Sequence, residues 1–82
     1  MHAIKVLNIP RWISEIHLKN FFNSCGKVLQ SEIALDKDTL RSLGYGYVEF
    51  ADEQSLRAAL QKDGAILDGA KLQVVEMEEA VL

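Results

Sequence analysis

Cysteine is almost missing from this chain of 82 residues: Cys25 stands alone. No internal disulfide can form, which fits a reducing, intracellular compartment, nuclear or cytoplasmic. Proline occurs once, at Pro10, and no linker or low-complexity stretch divides the sequence. No apolar run approaches the roughly 18 residues that suggest a membrane span, so no membrane association is expected. Met1-His2-Ala3-Ile4-Lys5 runs directly into a strand-like pattern, and no secretory or transit segment is expected. His2 and His17 lie apart and are not paired with Cys or acidic residues at metal-ligand spacing, so neither a metal nor a cofactor is expected. No Ser–His–Asp or Cys–His arrangement can be drawn through these positions, and an enzyme is not expected. His17 reads as an exposed residue of a first helical turn, and Cys25 as a small core residue. A chain this short makes one domain, burying roughly 60% of its unfolded surface, with no interdomain cleft.

Positive charge is also scarce. Nine Lys and Arg stand against twelve Asp and Glu, a net charge of −3, where an electrostatic nucleic-acid binder is usually basic. The deficit is uneven: residues 1–50 hold six basic and five acidic side chains, residues 51–82 three and seven. Nucleic-acid binding by such a chain has to rest on stacking and hydrogen bonding more than on bulk charge.

The apolar residues change period in a legible order. Ile4, Val6, Leu7 and Ile9 form a strand stopped by Pro10. Ser14 is an N-cap, with Ile13 and Leu18 placed as a hydrophobic staple. Leu18, Phe21, Phe22 and Cys25 then mark one helical face, ended by Gly26. Val28 to Leu35 is a second strand with Ile33 buried, and Asp36 to Ser42 is turn-like. Gly44 to Phe50 alternates as a third strand. Asp52 caps a second helix that buries Leu56, Ala59 and Leu60. Asp63-Gly64 and Asp68-Gly69 mark turns. Lys71 to Glu76 alternates as a last strand, with Leu72 and Val74 on one face. The order β1-α1-β2-β3-α2-β4 predicts an α+β, ferredoxin-like split βαβ fold. Two helices would cover one face of a four-stranded antiparallel sheet and leave the other open. Trp12, in the first loop, is expected to cover the core's edge or, if exposed, to anchor a partner.

The segment that carries chemistry is Leu43-Gly44-Tyr45-Gly46-Tyr47-Val48-Glu49-Phe50. Alternation sends Val48 and Phe50 into the core and Tyr45 and Tyr47 onto the open face. The two glycines fall on the core side, where they are expected to admit the helices closely. Exposed rings two residues apart on a rigid strand can stack on unpaired bases or pack against ribose. An isolated Tyr-x-Tyr pair is usually plain strand-forming sequence; this octamer and its surroundings argue otherwise. A dinucleotide-binding GxGxxG is excluded, because its third glycine would fall at Glu49.

The octamer, together with Ile4-Lys5-Val6-Leu7-Asn8-Ile9, Phe21-Phe22-x-x-Cys25-Gly26 and Asp63-Gly64-Ala65-x-Leu67-Asp68-Gly69, resembles the RNA recognition motif (RRM) family across residues 3–76. The likeness is nearest to the domains of nuclear poly(A)-binding, nucleolin-like and translation-initiation-factor proteins. Residues 77–82 would be a C-terminal tail, the start of a linker, or a short helix folded over the sheet. The resemblance implies non-catalytic, weak binding of single-stranded RNA by a monomer, with a protein-interaction module as the alternative. The implied contacts are Lys5, Leu7, Tyr45, Tyr47 and Gln73 on the sheet, with Arg41 and Lys37 from the loop before β3. Two departures stand out. Lys5 occupies a place usually held by a stacking ring, and Leu43 one usually held by a basic residue. With β1 and β3 as neighbours, Lys5 should lie beside Tyr47, donating to a phosphate or base, making a cation–π contact with Tyr47, or balancing Glu32 or Glu49. Leu43 should pack locally or meet a protein partner.

Overall fold

Strand alternation, two capped helices and a central pair of strands build the domain in the predicted order. The computed structural model describes residues 1–77. β1 (His2–Leu7) buries Ile4 and Val6, and the chain leaves it through Asn8. α1 (Glu15–Phe22) starts at a capping box: Ser14 Oγ accepts from the His17 amide, and His17 Nδ1 accepts from the Ser14 amide at 3.1 Å. His17 is exposed as expected, yet it fills a role usually given to Glu or Gln. The α-helix yields to a 3₁₀ turn at Asn23–Cys25, so Cys25 is only half-buried rather than part of a continuous helical stripe. β2 (Val28–Leu35), β3 (Ser42–Phe50) and α2 (Glu53–Leu60) follow.

A small hairpin, β4 (Ile66–Leu67) and β5 (Ala70–Lys71), precedes the last strand, β6 (Gln73–Met77). Its Asp68-Gly69 turn has φ of 51° and 89°, the paired positive angles of a type I′ turn. Lys71 therefore belongs to the hairpin, and β6 continues one residue beyond Glu76, through Met77. The remainder of the expected C-terminal tail lies outside the described residues.

The sheet order is β2-β3-β1-β6, antiparallel throughout. Both helices pack on one face around Ile4, Val6, Leu18, Phe22, Val48, Phe50, Leu56, Leu72 and Val74. Phe22 meets Phe50 edge-to-face at 6.3 Å, both fully buried. Leu60, expected in the core, is half-buried against it, and the buried Ser55 takes a place on α2 instead. That hydroxyl is satisfied: Ser55 donates to Asp52 Oδ1 through both its amide and its Oγ, each at 2.8 Å.

These two bonds, the backbone one first, hold the Asp52 carboxyl below its ordinary value of 3.8. A lowered folded-state value means that the cap's contribution is complete above pH 3.8 and is lost as pH falls through the folded-state value. Asp52→Ala should therefore lower the melting temperature at neutral pH, and the gap should narrow in acid. Thermal melts of both proteins from neutral pH down to about pH 2 check this; a gap independent of pH would remove the charged cap as the cause.

Candidate functional site

The open face is read from the register of its strands. Directly opposed residues in an antiparallel pair share a face, with Cβ atoms about 4.5–5.5 Å apart. Leu7 opposes Tyr45 on one side and Gln73 on the other; Lys5 opposes Tyr47 and Val75. On the outer strand Glu32 opposes Tyr47 and Gln30 opposes Glu49. Leu7, Lys5, Tyr45, Tyr47 and Gln73 thus come together as one patch at the centre of the uncovered face. Ala3, one step further along β1, is 3% exposed between Glu49 and Met77 and closes the patch at that end.

Both tyrosines are half-buried, with ring centroids 6.1 Å apart and planes at 89°. Lys5 lies beside Tyr47 in the register, but its ammonium is over the Tyr45 ring, 5.0 Å from the centroid. The expected partner is corrected accordingly: a long side chain reaches the diagonal neighbour, two residues along β3. Among the described residues Lys5 makes no ion pair with Glu32 or Glu49.

The glycines of β3 serve a purpose other than the one expected. A Cβ at Gly46 would sit 2.3 Å from the Glu32 carbonyl oxygen, and one at Gly44 would have the Ile9 carbonyl as its nearest neighbour. At Gly46 adjacent backbone, not a helix, is what the missing side chain admits; at Gly44 the contact would be an ordinary 3.5 Å, and the glycine accommodates a φ of +84°. Around Gly46, β2 is bulged on both sides, between Val28 and Gln30 and between Ile33 and Leu35.

The loop before β3 is shaped by Asp36. Its carboxylate accepts from the Thr39 amide at 2.9 Å and the Asp38 amide at 2.8 Å, and these bonds hold its carboxyl below the ordinary value. Asp36 also donates its amide to the Arg41 carbonyl at 2.8 Å. Arg41 is thereby held at the sheet's end, where it lines a concavity with Arg11, Leu43 and Gly44. Arg11 was not anticipated as a site residue. The signal for it was the β1–β3 adjacency, which brings the loop after Pro10 against the start of β3, where Ile9 donates to the Gly44 carbonyl at 2.8 Å. Lys37 is exposed on the turn and is not brought to the patch. Leu43 is half-exposed at the edge of the platform rather than packed away.

Trp12 does not cover the core. Its ring is 69% exposed, and its indole N–H donates to the Asp68 carboxylate, tying the first loop to the β4–β5 hairpin. Among the described residues no group of three His, Cys, Asp or Glu is arranged to hold a metal ion, and no helix is long and apolar enough to cross a membrane.

Known proteins are similar to this chain in sequence and fold. The family model for the RNA recognition motif matches residues 4–73. The 29 kDa chloroplastic ribonucleoprotein of Arabidopsis thaliana is 35% identical over 78 residues, covering 94% of this chain and 23% of the relative. Glycine-rich RNA-binding protein 1 of Sorghum bicolor is 40% identical over 62 residues, covering 74% of this chain and 44% of that protein. The chain thus spans less than half the length of either relative. The crystal structure of RNA binding protein PG1 superposes with a TM-score of 0.88 at 32% identity, covering 95% of each chain.

Proposed function

Because this chain belongs to the RNA recognition motif family, we propose that it binds single-stranded RNA, without catalysis, on the open face of its sheet. The observation that carries this reading is the pair of tyrosines on β3, side by side on a face that neither α1 nor α2 covers. Tyr45 and Tyr47 stack on successive bases, and Leu7 packs against the same nucleotides. Gln73 supplies hydrogen bonds, and Lys5 and Arg41 meet phosphates, joined by Arg11. The relatives named above, a ribonucleoprotein and an RNA-binding protein, support RNA over the protein-module alternative. RNA as partner and the single cysteine both suit a place inside the cell.

Stacking is worth roughly 1–3 kcal/mol per base, and Lys5 leaves the site one ring short. The domain alone should therefore bind weakly, roughly micromolar or poorer. Titration with pooled short RNAs, followed by amide NMR, should move the signals of Tyr45, Tyr47 and their neighbours on β1 and β6. Repeated at rising salt, the affinity should fall with a slope of about −1.4 to −2.1 in log–log terms, the value for two or three phosphate contacts on a single strand. Shifts confined to the helices, or a slope near about −5, would count against stacking on this face.

A further inference from the structure

Stacking alone does not choose a base, because every base offers a ring face. Choice comes from hydrogen bonds to the base's Watson–Crick edge. What lies beside the proposed stacking rings therefore matters more than the rings. Tyr47 is flanked at one level of the sheet by opposite charges: Lys5 across on β1 and Glu32 across on β2. The Lys5 ammonium is drawn toward Tyr45. Glu32 is exposed and, among the described residues, its carboxylate has neither hydrogen bond nor ion pair. It also repels phosphate, so the RNA backbone is favoured on the Lys5 side and the base edge on the Glu32 side.

An ionised carboxylate only accepts, through two oxygens. The four bases differ in what they present to it. Uracil offers one N–H between two carbonyl oxygens, which face the carboxylate unfavourably. Adenine and cytosine each offer an amine next to a bare ring nitrogen. Guanine offers a ring N–H and an amine side by side, which match both carboxylate oxygens in a bidentate, charge-assisted pair. We propose that Glu32 sets the base preference of the site, accepting both donors of a guanine stacked on Tyr47 and disfavouring uracil there. The proposal rests on the reading of this face as the RNA-binding surface.

The test uses short uridine oligomers whose central nucleotide is guanosine, inosine, adenosine, cytidine or uridine, with affinity measured by fluorescence anisotropy. The guanosine oligomer should bind roughly tenfold to a hundredfold tighter than the all-uridine one, the range of a good bidentate base contact. Inosine, which lacks the exocyclic amine, should lose most of that advantage. Glu32→Ala should collapse the guanosine-to-uridine ratio to within about threefold, below the range of such a contact. A merely structural role for Glu32 would weaken all oligomers alike and leave the ratio standing, which overturns the proposal. So does a wild-type protein that binds all the oligomers equally, and in both cases RNA binding on this face survives. If no oligomer binds, or if Tyr47→Ala binds as wild type, the RNA-binding reading fails and this inference falls with it.

Discussion

Replacing both open-face tyrosines, Tyr45→Ala together with Tyr47→Ala, is expected to weaken single-stranded RNA binding by roughly 2–6 kcal/mol, two stacks at about 1–3 kcal/mol each. From a micromolar starting point the low end is about a thirtyfold loss, and the middle of the range already reaches the millimolar, where binding is hard to detect. The rings meet at 6.1 Å, so their single effects need not add, and the double variant is the decisive one. Neither ring belongs to the buried core. The variant should therefore keep its fold, visible as an amide spectrum with native dispersion. A folded double variant that binds RNA as tightly as wild type would remove the tyrosines from the site and the stacking mechanism with them.

The fold was legible because its signals are local and agree with one another. Ser14 and Asp52 mark helix starts through their own side chains, and both cap as predicted. The alternation through Val48 and Phe50 fixes which side of β3 is buried, since a slip of one residue would expose the whole apolar set. Less legible were features set by backbone geometry between strands. A run such as Gly44-Tyr45-Gly46 shows that side chains are missing but not which neighbour fills the space. At Gly46 the answer was the backbone of the adjacent strand β2; at Gly44 it was a left-handed backbone angle. Trp12 misled for a related reason: apolar area predicts burial, but its indole N–H found the Asp68 carboxylate across a turn 56 residues away in sequence.

For the candidate site, the sequence could place residues on faces but not rank distances within a face. That Tyr45, Tyr47, Lys5, Leu7 and Gln73 share the open side follows from period-2 alternation and strand order. That Lys5 reaches Tyr45 rather than Tyr47 depends on where a flexible four-carbon stem lies. Arg11 needed the tertiary adjacency of β1 and β3 to come into view, and Glu32 the register of β2 against β3. Lys37 was included for its charge and its place in the loop alone, and the structure gives it no contact with the patch.

Gly46→Ala should be among the most destabilising single-methyl additions in this domain. Its Cβ would fall 2.3 Å from the Glu32 carbonyl oxygen and 3.3 Å from Ile33 Cα. Both atoms are backbone, so no rotamer change can relieve the overlap; β2 and β3 must separate. Gly46 has no positive φ, so the cost comes from the collision and not from an unfavourable backbone angle. Overpacking of this kind costs typically about 1–3 kcal/mol, occasionally more. Since small domains hold only about 5–15 kcal/mol in all, the melting temperature should drop by several degrees, at about 4–8 °C per kcal/mol for a domain of this size. Gly69→Ala is the matched comparison. It has no atom within 4 Å of the added carbon but a φ of +89°, so it carries backbone strain without collision. Gly46→Ala should also disturb the site, because it forces apart the strands that carry Tyr47 and Glu32. Weaker RNA binding should therefore accompany the lower stability in Gly46→Ala and not in Gly69→Ala. Melting within a degree or so of wild type would mean that β2 can shift freely past β3, and the tight approach at Gly46 would then hold nothing in place.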